Sequence, residues 1–382
     1  MSSSVSPKER VATALRGGMP DRVPVVPIYD IGYIMRQIGV DPREYYTAEP
    51  ETFAGYIEQS FLLHAVDGFF VHRGVALDWR AKHRVEKLER YWLVTDLETG
   101  EQYRLLPEGI RVGADGRLLN NGGVSKIQCS ADIDRELPPG PPAEAELEGC
   151  FLPLRRLVQK HPDHHFSFQT GSPMVRALSV CGGFEEGLVT LASDRTLFRE
   201  LLARGAANEC ALIEPAKRAG GQSMWFTSYY TGADTISPRD YRELVFPYEK
   251  QVCQAAKEAG LFVLNWFLGD LMPILDQVMQ LPLDALVLEQ GRKGYKIDPV
   301  KIRKRVGERF CLFGFGFEDD YCQFNRRGLT EELSRQLAGA GRRGAFVAGT
   351  PIMPPNAQRA AVDYYFAEAR RLGVYPFSPA ND

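Results

Sequence analysis

Side chains capable of chemistry stand at the ends of short apolar runs in this sequence. Glu289 directly follows the apolar run 285–288, and Asn265 and Trp266 stand near the end of the run 262–267. A carboxylate that follows a buried strand is either paired with a cation or placed to accept hydrogen bonds from a ligand. Folding alone does not require an amide and an indole at the end of an apolar strand. These positions therefore indicate a ligand-binding or catalytic site.

Other apolar runs end in the same way. The further candidates at these ends are Tyr29, Asp30, His72, Arg73, Thr227, Tyr229, Tyr230, Gln290, Phe315, Glu318 and Thr350. Tyrosine, tryptophan, amides and a few carboxylates suit a large, planar, polar ligand. Simpler interpretations stay open: the two neighbouring tyrosines could pack under a loop, Arg73 could form a surface ion pair, and His72 could be structural.

Eight β-like runs hold these residues, separated by helical stretches. The runs are 23–30, 68–73, 165–171, 223–230, 262–267, 285–290, 309–316 and 344–350. Alternation of strand and helix predicts an α/β fold, and eight repeats predict a (β/α)8 TIM barrel in which the chemistry lies at the carboxyl ends of the strands. We treat residues 1–382 as one barrel domain. A doubly wound sheet is the structural alternative.

Residues from about 80 to 140 interrupt this alternation. They contain two β-rich runs around a Glu-Thr-Gly turn at 98–100, followed by a Pro-rich linker. This pattern predicts a β-hairpin insertion after the second strand, beside the barrel mouth. Its simplest role is that of a structural cap.

Composition excludes several classes of function. The net charge of −3 gives no broad basic surface for nucleic acid, and no apolar run approaches the length of a membrane span. The amino terminus lacks the apolar core of a signal peptide, and the seven cysteines are scattered without a CxxC pair. We therefore expect a cytoplasmic protein without disulfides. A Gly-rich phosphate loop and the GxSxG and HExxH motifs are absent, and all six histidines precede residue 166.

Several segments resemble the uroporphyrinogen decarboxylase superfamily. They are KERVATALRGGMPDRVPVVP at the start, TGSPMVRALSVCGGFEEGLVTLASDRTLFRELL, ISPRDYRELVFPYEKQV, GERFCLFGF and AFVAGTPIMPPNAQRAAVDYY. The resemblance runs from about residue 7 to 373 and implies a (β/α)8 barrel. True decarboxylases of this superfamily hold tetrapyrrole carboxylates with arginines after strand one. Tyr29 and Tyr33 stand at those positions here, Thr350 replaces a histidine, and His72-Arg73 offers no aspartate after strand two. Decarboxylation of a polyanionic porphyrinogen is therefore disfavoured.

The other branch of the superfamily contains methyltransferases that work with corrinoid proteins. Members that act on thiols hold zinc with a His-x-Cys and a further Cys. Alignment on Gly269-Asp270 places Trp266, Leu268 and Thr350 at these three positions, so the resemblance predicts no catalytic zinc. The hairpin insertion also looks more like this branch.

The resemblance thus implies a zinc-independent methyltransferase. It would move a methyl group between a corrinoid (cobalamin) and tetrahydrofolate or a small methylated substrate, with a corrinoid-binding protein as partner and a homodimer as one possible assembly. Glu289, helped by Asn265, would bind the pterin ring, the aromatic residues would stack on it, and His72 or Asp30 would act as general acid. The alternatives are a decarboxylase of a tetrapyrrole or another carboxylic acid, and a non-catalytic corrinoid- or tetrapyrrole-binding protein.

Overall fold

The computed structural model describes residues 5–107, 109–114, 116, 119, 127, 129–292 and 294–377, without the side chain of residue 145. Part of the predicted insertion lies outside these residues. The strands of the described chain are β1 (Gly68–Val71), β2 (His83–Lys87), β3 (Trp92–Asp96), β4 (Gln102–Leu105), β5 (Arg111–Gly113), β6 (His165–Thr170), β7 (Ser223–Ser228), β8 (Phe262–Phe267), β9 (Ala285–Leu288), β10 (Cys311–Gly314) and β11 (Phe346–Ala348).

Helices fill the intervals between the strands. They are α1 (Pro7–Leu15), α2 (Ile31–Gln37), α3 (Glu44–Thr47), α4 (Pro50–Phe61), α5 (Trp79–Lys82), α6 (Ile133–Glu136), α7 (Glu144–Lys160), α8 (Pro173–Val180), α9 (Phe184–Ser193), α10 (Arg195–Cys210), α11 (Ile213–Arg218), α12 (Pro238–Asp240), α13 (Phe246–Glu258), α14 (Leu275–Val278), α15 (Pro299–Val306), α16 (Glu318–Gln323), α17 (Arg326–Gln336) and α18 (Arg359–Leu372). Among the described residues, no helix is long and apolar enough to cross a membrane.

The main sheet has seven parallel strands in the order β1-β6-β7-β8-β9-β10-β11. Its neighbours follow chain order throughout, as they do in a barrel. A doubly wound sheet reverses its strand order at a switch point, so this order argues against that alternative. The observed α/β sheet is compatible with the predicted TIM barrel.

The predicted first strand, 23–30, is not a regular strand. Pro24 and Pro27 lack the N–H groups that a strand ladder needs. The segment instead makes isolated bridges, Val25 with Ala348 and Tyr29 with Met353. On its other side, the Asp67 N–H donates to the Val25 carbonyl at 2.8 Å. Residues 23–29 thereby connect the last strand of the sheet to the first.

Thr350 fastens this connection. Its Oγ1 accepts the Ile28 N–H and donates to the Ile28 carbonyl, both at 2.9 Å, and the side chain is buried. Thr350→Val keeps the shape but leaves the Ile28 N–H unpaired and leaves the Ile28 carbonyl to the Met353 N–H at 3.2 Å, so we expect unfolding to need about 1–3 kcal/mol less free energy in urea titrations. Thr190→Val, which removes an exposed bond to the Glu186 carbonyl, should cost less than about 0.5 kcal/mol. Equal costs for the two variants would contradict the proposed fastening.

Two helical segments have informative local features. A capping box formed by Ser6 and Glu9 is present at the start of α1. The helical stretch from Ser237 to Gly260 is interrupted by a π segment, Tyr241–Val245. Pro247 cannot donate a backbone hydrogen bond, and this widens the helix immediately before it. The π segment places the Tyr241 hydroxyl 2.8 Å from the carboxylate of Glu249.

Glu249 is a fully buried carboxyl group that also accepts the Ser228 hydroxyl at 2.9 Å. Burial raises its pKa to about 7, although the two hydroxyl bonds oppose the shift. Between the ordinary pKa near 4.5 and pH 7 the unfolded chain ionises while the folded chain keeps its proton. The native protein therefore loses stability over this interval as the pH rises.

The side chain of the Glu249→Gln variant does not titrate, so the variant should not lose stability in this way. We expect the stability of the native protein relative to this variant to fall by roughly 1–3 kcal/mol between pH 5 and pH 8. Denaturant midpoints across this pH range measure the difference. A difference that stays constant with pH would show that the carboxyl group does not titrate as described.

The core has two layers on the two faces of the sheet. Alternate residues such as Phe70, Trp225, Leu264, Trp266 and Val287 form a cluster on one face, together with residues of α1 and the segment after it. The intervening residues belong to a larger cluster that includes most of the helices. We call the first group the interior cluster, because it lies on the face away from most of the helices, and the site is built on this face at the carboxyl ends of the strands.

The insertion is larger than the predicted hairpin. The predicted turn joins β3 and β4, but β2 and β5 extend the pair to a four-stranded antiparallel sheet. Polar, mostly exposed residues in β2 hide it from a hydrophobicity pattern. Trp92, Val94 and Leu105 form its small core, with Tyr46 of α3 packed against them. The insertion thus supports the helix that carries Tyr45, a residue of the site.

Candidate functional site

A cavity of about 620 Å³ lies at the carboxyl ends of the parallel strands. Eight predicted site residues line it: Tyr29, Asp30, His72, Arg73, Thr227, Tyr229, Tyr230 and Trp266. Lining residues absent from the predicted set include Tyr45, Gln169, Thr170, Gly171, Ser172, Val175, Trp225 and Ile352. Side-chain alternation along β7 places Trp225 and Thr227 on one face, and that period could have revealed Trp225.

Aromatic rings form much of the cavity wall. The ring of Trp225 lies 5.8 Å from that of Trp266, which in turn lies 6.1 Å from Tyr229. Tyr230 continues the series, 5.7 Å from Tyr229. Such a wall offers wide apolar area to a planar ligand, as the sequence predicted.

Several cavity residues carry hydrogen-bonding atoms without partners. Among the described residues, the unpartnered buried atoms include Tyr29 Oη, Ser172 Oγ, Trp225 Nε1, Thr227 Oγ1 and Trp266 Nε1. A buried polar atom without a partner costs about 1–3 kcal/mol, so a cluster of them requires an explanation. All five can donate hydrogen bonds. A ligand rich in acceptor atoms would satisfy them.

Tyr230 has an uncommon backbone conformation. Its φ of 62° lies in the left-handed region that favours glycine. Its ring packs on Phe184 of α9 at 4.7 Å, and the residue lines the cavity. Strain of this kind persists where the surroundings fix it, often in a functional site.

The two predicted general acids have shifted pKa values. Burial lowers the pKa of His72 to about 4, and its ring meets Tyr45 and Trp225 edge-on. With this pKa the imidazole is uncharged at neutral pH, and the role of His72 as general acid stays a prediction. Burial raises the pKa of Asp30, but the carboxylate also caps α2 by accepting the Gly32 N–H at 2.7 Å.

Glu289 lies behind the cavity wall. Its carboxylate accepts the N–H of Ile352, a lining residue, at 2.8 Å and that of Gln290 at 3.0 Å. Burial raises the pKa of Glu289 to about 7. Burial also raises the pKa of Tyr229 to about 12, and the charge of Glu289 adds to that shift. Glu289 thus supports the wall and changes its charge near neutral pH. It is not among the cavity-lining residues, as a residue binding a pterin would have to be.

Two other predicted ligand contacts lie away from the cavity. Asn265 follows Leu264 and precedes Trp266, both of the interior cluster, so alternation turns its amide toward the helices. There it is fully buried, and neither amide atom has a partner. Tyr33 is also buried, with its hydroxyl 2.9 Å from His64 Nε2.

The remaining predicted contacts stabilise the loops. Gln290 accepts the Glu318 N–H at 3.0 Å, and Glu318 pairs with Arg292. Phe315 packs in the larger core, and its backbone bonds to the amide of Gln336. Thr350 is committed to Ile28, as described above. These residues hold the site together without lining it, because each is occupied by a contact within the chain.

The positions that correspond to zinc ligands carry no metal-binding atoms. Trp266 and Leu268 pack with the interior cluster, and Thr350 bonds to backbone. Among the described residues, no group of three or more His, Cys, Asp or Glu could hold a metal ion. All seven cysteines are free thiols. The residues present do not fit a zinc site of the thiol-methyltransferase type.

The loop after β8 docks on the loop after β7. The Asp270 N–H donates to Asp234 Oδ1 at 2.8 Å. Gly269 has a φ of 139° and touches Gly232, where a Cβ would meet both Asp234 and the Asp270 nitrogen. These two glycines permit the close approach that fixes the aromatic wall beneath.

Comparisons with known proteins agree with this architecture. A solved structure, a methyltransferase from Methanosarcina mazei, superposes with a TM-score of 0.69 over 96% of this chain and 98% of its own, at 15% identity. This likeness concerns the fold. Uroporphyrinogen decarboxylases from Chlorobaculum parvum and Chlorobaculum tepidum are 27% and 26% identical over 218 and 216 residues.

Each alignment covers 53% of this chain and 58% of the relative, so the chain spans little more than half the length of the curated relatives it matches. The family model for uroporphyrinogen decarboxylase matches residues 124–355, more than half of the chain. The matched region contains β6 to β11 and thus most of the cavity. On this evidence of sequence, supported by the fold, the chain belongs to the uroporphyrinogen decarboxylase family.

Proposed function

We propose that this protein is a zinc-independent methyltransferase that moves a methyl group between a corrinoid and tetrahydrofolate or a small methylated substrate. The observation that carries the proposal is the aromatic cavity with its five unpartnered donors. It suits a planar ligand with acceptor atoms, and methyl ethers and methylated pterins are ligands of that kind. The fold shared with a methyltransferase is consistent with the proposal.

Uroporphyrinogen fits this cavity poorly. The substrate carries many carboxylates, and charge-assisted bonds to arginine are the usual means of binding them. Tyr29 and Tyr33 stand where the family carries arginines, and Tyr33 is engaged with His64. Arg73 is the only arginine among the cavity-lining residues, all of which belong to the described chain. A single arginine suits a ligand that carries far less negative charge than uroporphyrinogen.

The chain's own residues would bind and orient the methylated group. Trp225, Trp266 and Tyr229 would hold the ring and exclude water, and the hydroxyls of Tyr29 and Thr227 would donate to its oxygen or nitrogen atoms. A corrinoid, carried on a partner protein that approaches the cavity mouth, would supply the methyl acceptor or donor when bound. Trp266, Leu268 and Thr350 stand at the three zinc-ligand positions and do not suit zinc, so thiol activation by a metal has no part in the proposal.

Glu289 sets the charge behind the cavity wall in the proposal. It holds its proton up to about pH 7, so the leaving oxygen or nitrogen of a demethylation then has an uncharged group behind the wall. Glu289 acts from behind Ile352, so we regard it as a positioning and charge-setting residue. Its direct contact with a pterin ring, as the sequence predicted, is not part of the proposal.

The proposal is tested by mixing the protein with methylcobalamin and tetrahydrofolate, or with cob(I)alamin and a methoxylated aromatic compound, and following the cobalamin spectrum. We expect methyl transfer in at least one direction. Absence of transfer with either pair, and with the corrinoid on a carrier protein, would remove the proposal.

Decarboxylation of a small carboxylic acid is the second candidate, because Arg73 places a cation in the cavity. Carbon dioxide release without a methyl donor would favour it. Tight binding without turnover of any kind would favour a non-catalytic binding protein. Mass spectrometry of the reaction products distinguishes these outcomes from methyl transfer.

A further inference from the structure

One corner of the cavity is cationic. Arg73 follows β1 and lines the cavity with 23% of its side chain exposed. Its Nη1 lies 4.0 Å from Glu209 Oε2, close enough for charge attraction. In the described part of the chain the guanidinium makes no hydrogen bond. Arg73 is thus held in place while its donors remain free for a ligand.

Glu209 of α10 organises this corner. The carboxylate is fully buried and accepts the Gly171 N–H at 2.5 Å and Arg176 Nε at 2.8 Å. A Cβ at position 171 would collide with it, so glycine is required there. Burial alone would raise the pKa of Glu209, but the charges of Arg73 and Arg176 and the two hydrogen bonds lower it. Glu209 remains ionised and acts as a positioning residue.

Two arginines and one carboxylate leave the corner with a net positive charge. Glu146 also interacts with Arg176, but it is exposed, so solvent screens its charge. The Gly171 N–H, which could have contributed to a phosphate site, is already occupied by Glu209. The N–H groups of the planar Arg73 guanidinium therefore remain free to bind a ligand, together with a neighbouring hydroxyl group.

Ser172 lies beside it and supplies an independent observation. It is the N-cap residue of α8. A serine at this position usually accepts a hydrogen bond from a backbone N–H of the first helical turn, but the Ser172 side chain makes no such bond. Its side chain is buried and lines the cavity, and Oγ has no partner. The Ser172 hydroxyl does not cap the helix and lines the same cavity as Arg73. It is therefore a candidate for a hydrogen bond to a ligand.

We infer that the cavity takes a planar ligand bearing a carboxylate, with the carboxylate bound by Arg73 and Ser172 and the ring packed against the wall that Trp225 and Trp266 form together. Asp30, another lining residue, would repel the carboxylate and so favour this orientation. The inference rests on the proposed function and names its substrate class. An aromatic acid carrying a methoxy group and the aminobenzoyl-glutamate portion of a folate share this chemistry.

The test measures binding by tryptophan fluorescence and calorimetry, without turnover. The probes are 4-methoxybenzoate, its uncharged amide, 4-aminobenzoylglutamate and phenyl phosphate. Native protein should bind at least one of the two carboxylates, and 4-methoxybenzoate, if it is the one, roughly 10- to 100-fold more tightly than its amide. Arg73→Met should abolish that preference, and Ser172→Ala should weaken the carboxylate several-fold. Exposed Arg239→Met is the matched control and should change nothing.

Each outcome has a defined meaning. If Arg73→Met weakens only 4-aminobenzoylglutamate, the carboxylate is that of a folate; if it weakens 4-methoxybenzoate, it is that of a small aromatic acid. Equal binding of acid and amide by native protein, stronger binding of phenyl phosphate, or no binding of either carboxylate would overturn the inference. Ser172→Ala keeps the test valid if Arg73→Met does not fold. Methyl transfer confined to uncharged substrates would remove this site and leave the proposed function standing.

Discussion

Replacing Asp67 with asparagine is expected to lower the free energy of unfolding by about 3–5 kcal/mol, because Arg22 loses its carboxylate and the buried Arg10 keeps only its pairing with Asp21. Asp67 is only 2% exposed. Its carboxylate accepts Arg10 Nη1 at 2.6 Å, both Nη atoms of Arg22 at 2.8 and 2.9 Å, and the Val25 N–H at 2.8 Å. Asparagine presents an N–H₂ group to at least one of these donors.

The location of this network explains the size of the effect. Arg22 and Val25 belong to the segment that connects the two ends of the sheet, and Asp67 precedes β1. Urea unfolding monitored by circular dichroism gives the comparison. Asp276→Asn, which breaks an exposed ion pair with Arg305, should cost at most about 1 kcal/mol. A similarly small loss of unfolding free energy for Asp67→Asn would mean that the network does not hold the two ends of the sheet together.

Glu289→Gln is expected to reduce kcat/KM for methyl transfer by roughly 10²-fold, since a displaced cavity wall misaligns the reacting groups. A glutamine can accept only one of the Ile352 and Gln290 N–H groups and turns an N–H₂ group toward the other. The second effect concerns pH. Native Glu289 gains a negative charge as the pH rises through about 7, with Arg292 opposing and Glu318 reinforcing the shift in its pKa.

Developing negative charge on the leaving atom is disfavoured beside an ionised carboxylate. Demethylation by native protein should therefore slow as the pH rises through about 7. The glutamine variant should be slow at every pH and lack this decline. Glu308→Gln, an exposed position at the amino end of β10, is the matched control and should behave as native protein. An unchanged decline in the Glu289 variant would exclude Glu289 as its source.

Much of the fold followed from patterns in the sequence. Alternating apolar runs and helices identified six of the strands in the main sheet and located β11 within a longer predicted run. The first segment failed as a strand because Pro24 and Pro27 interrupt its hydrogen bonding, although it occupies the expected place. The additional strand β2 carries mostly exposed polar residues, so its pairing with β3 leaves no apolar signal.

The site was predictable only where side chains at the strand ends lie on the same face of the sheet as the interior cluster. His72, Arg73, Thr227 and Trp266 follow that rule and line the cavity. Asn265 fails because alternation on β8 turns it outward, one position from Trp266. Glu209 could not be found from sequence, since it lies on α10 and reaches the site through Gly171 and two arginines. Contacts between distant helices and loops leave no local pattern.

The central proposal is methyl transfer without zinc, and one measurement tests it most directly. Protein depleted of metal and kept in a chelator is incubated with ¹³C-methylcobalamin and tetrahydrofolate, and in the reverse direction with a ¹³C-methoxylated aromatic acid and cob(I)alamin. NMR follows the labelled methyl group. We predict transfer at the rate of the untreated protein. Loss of transfer on chelation and its recovery with added zinc, or no transfer under either condition, would contradict the proposal.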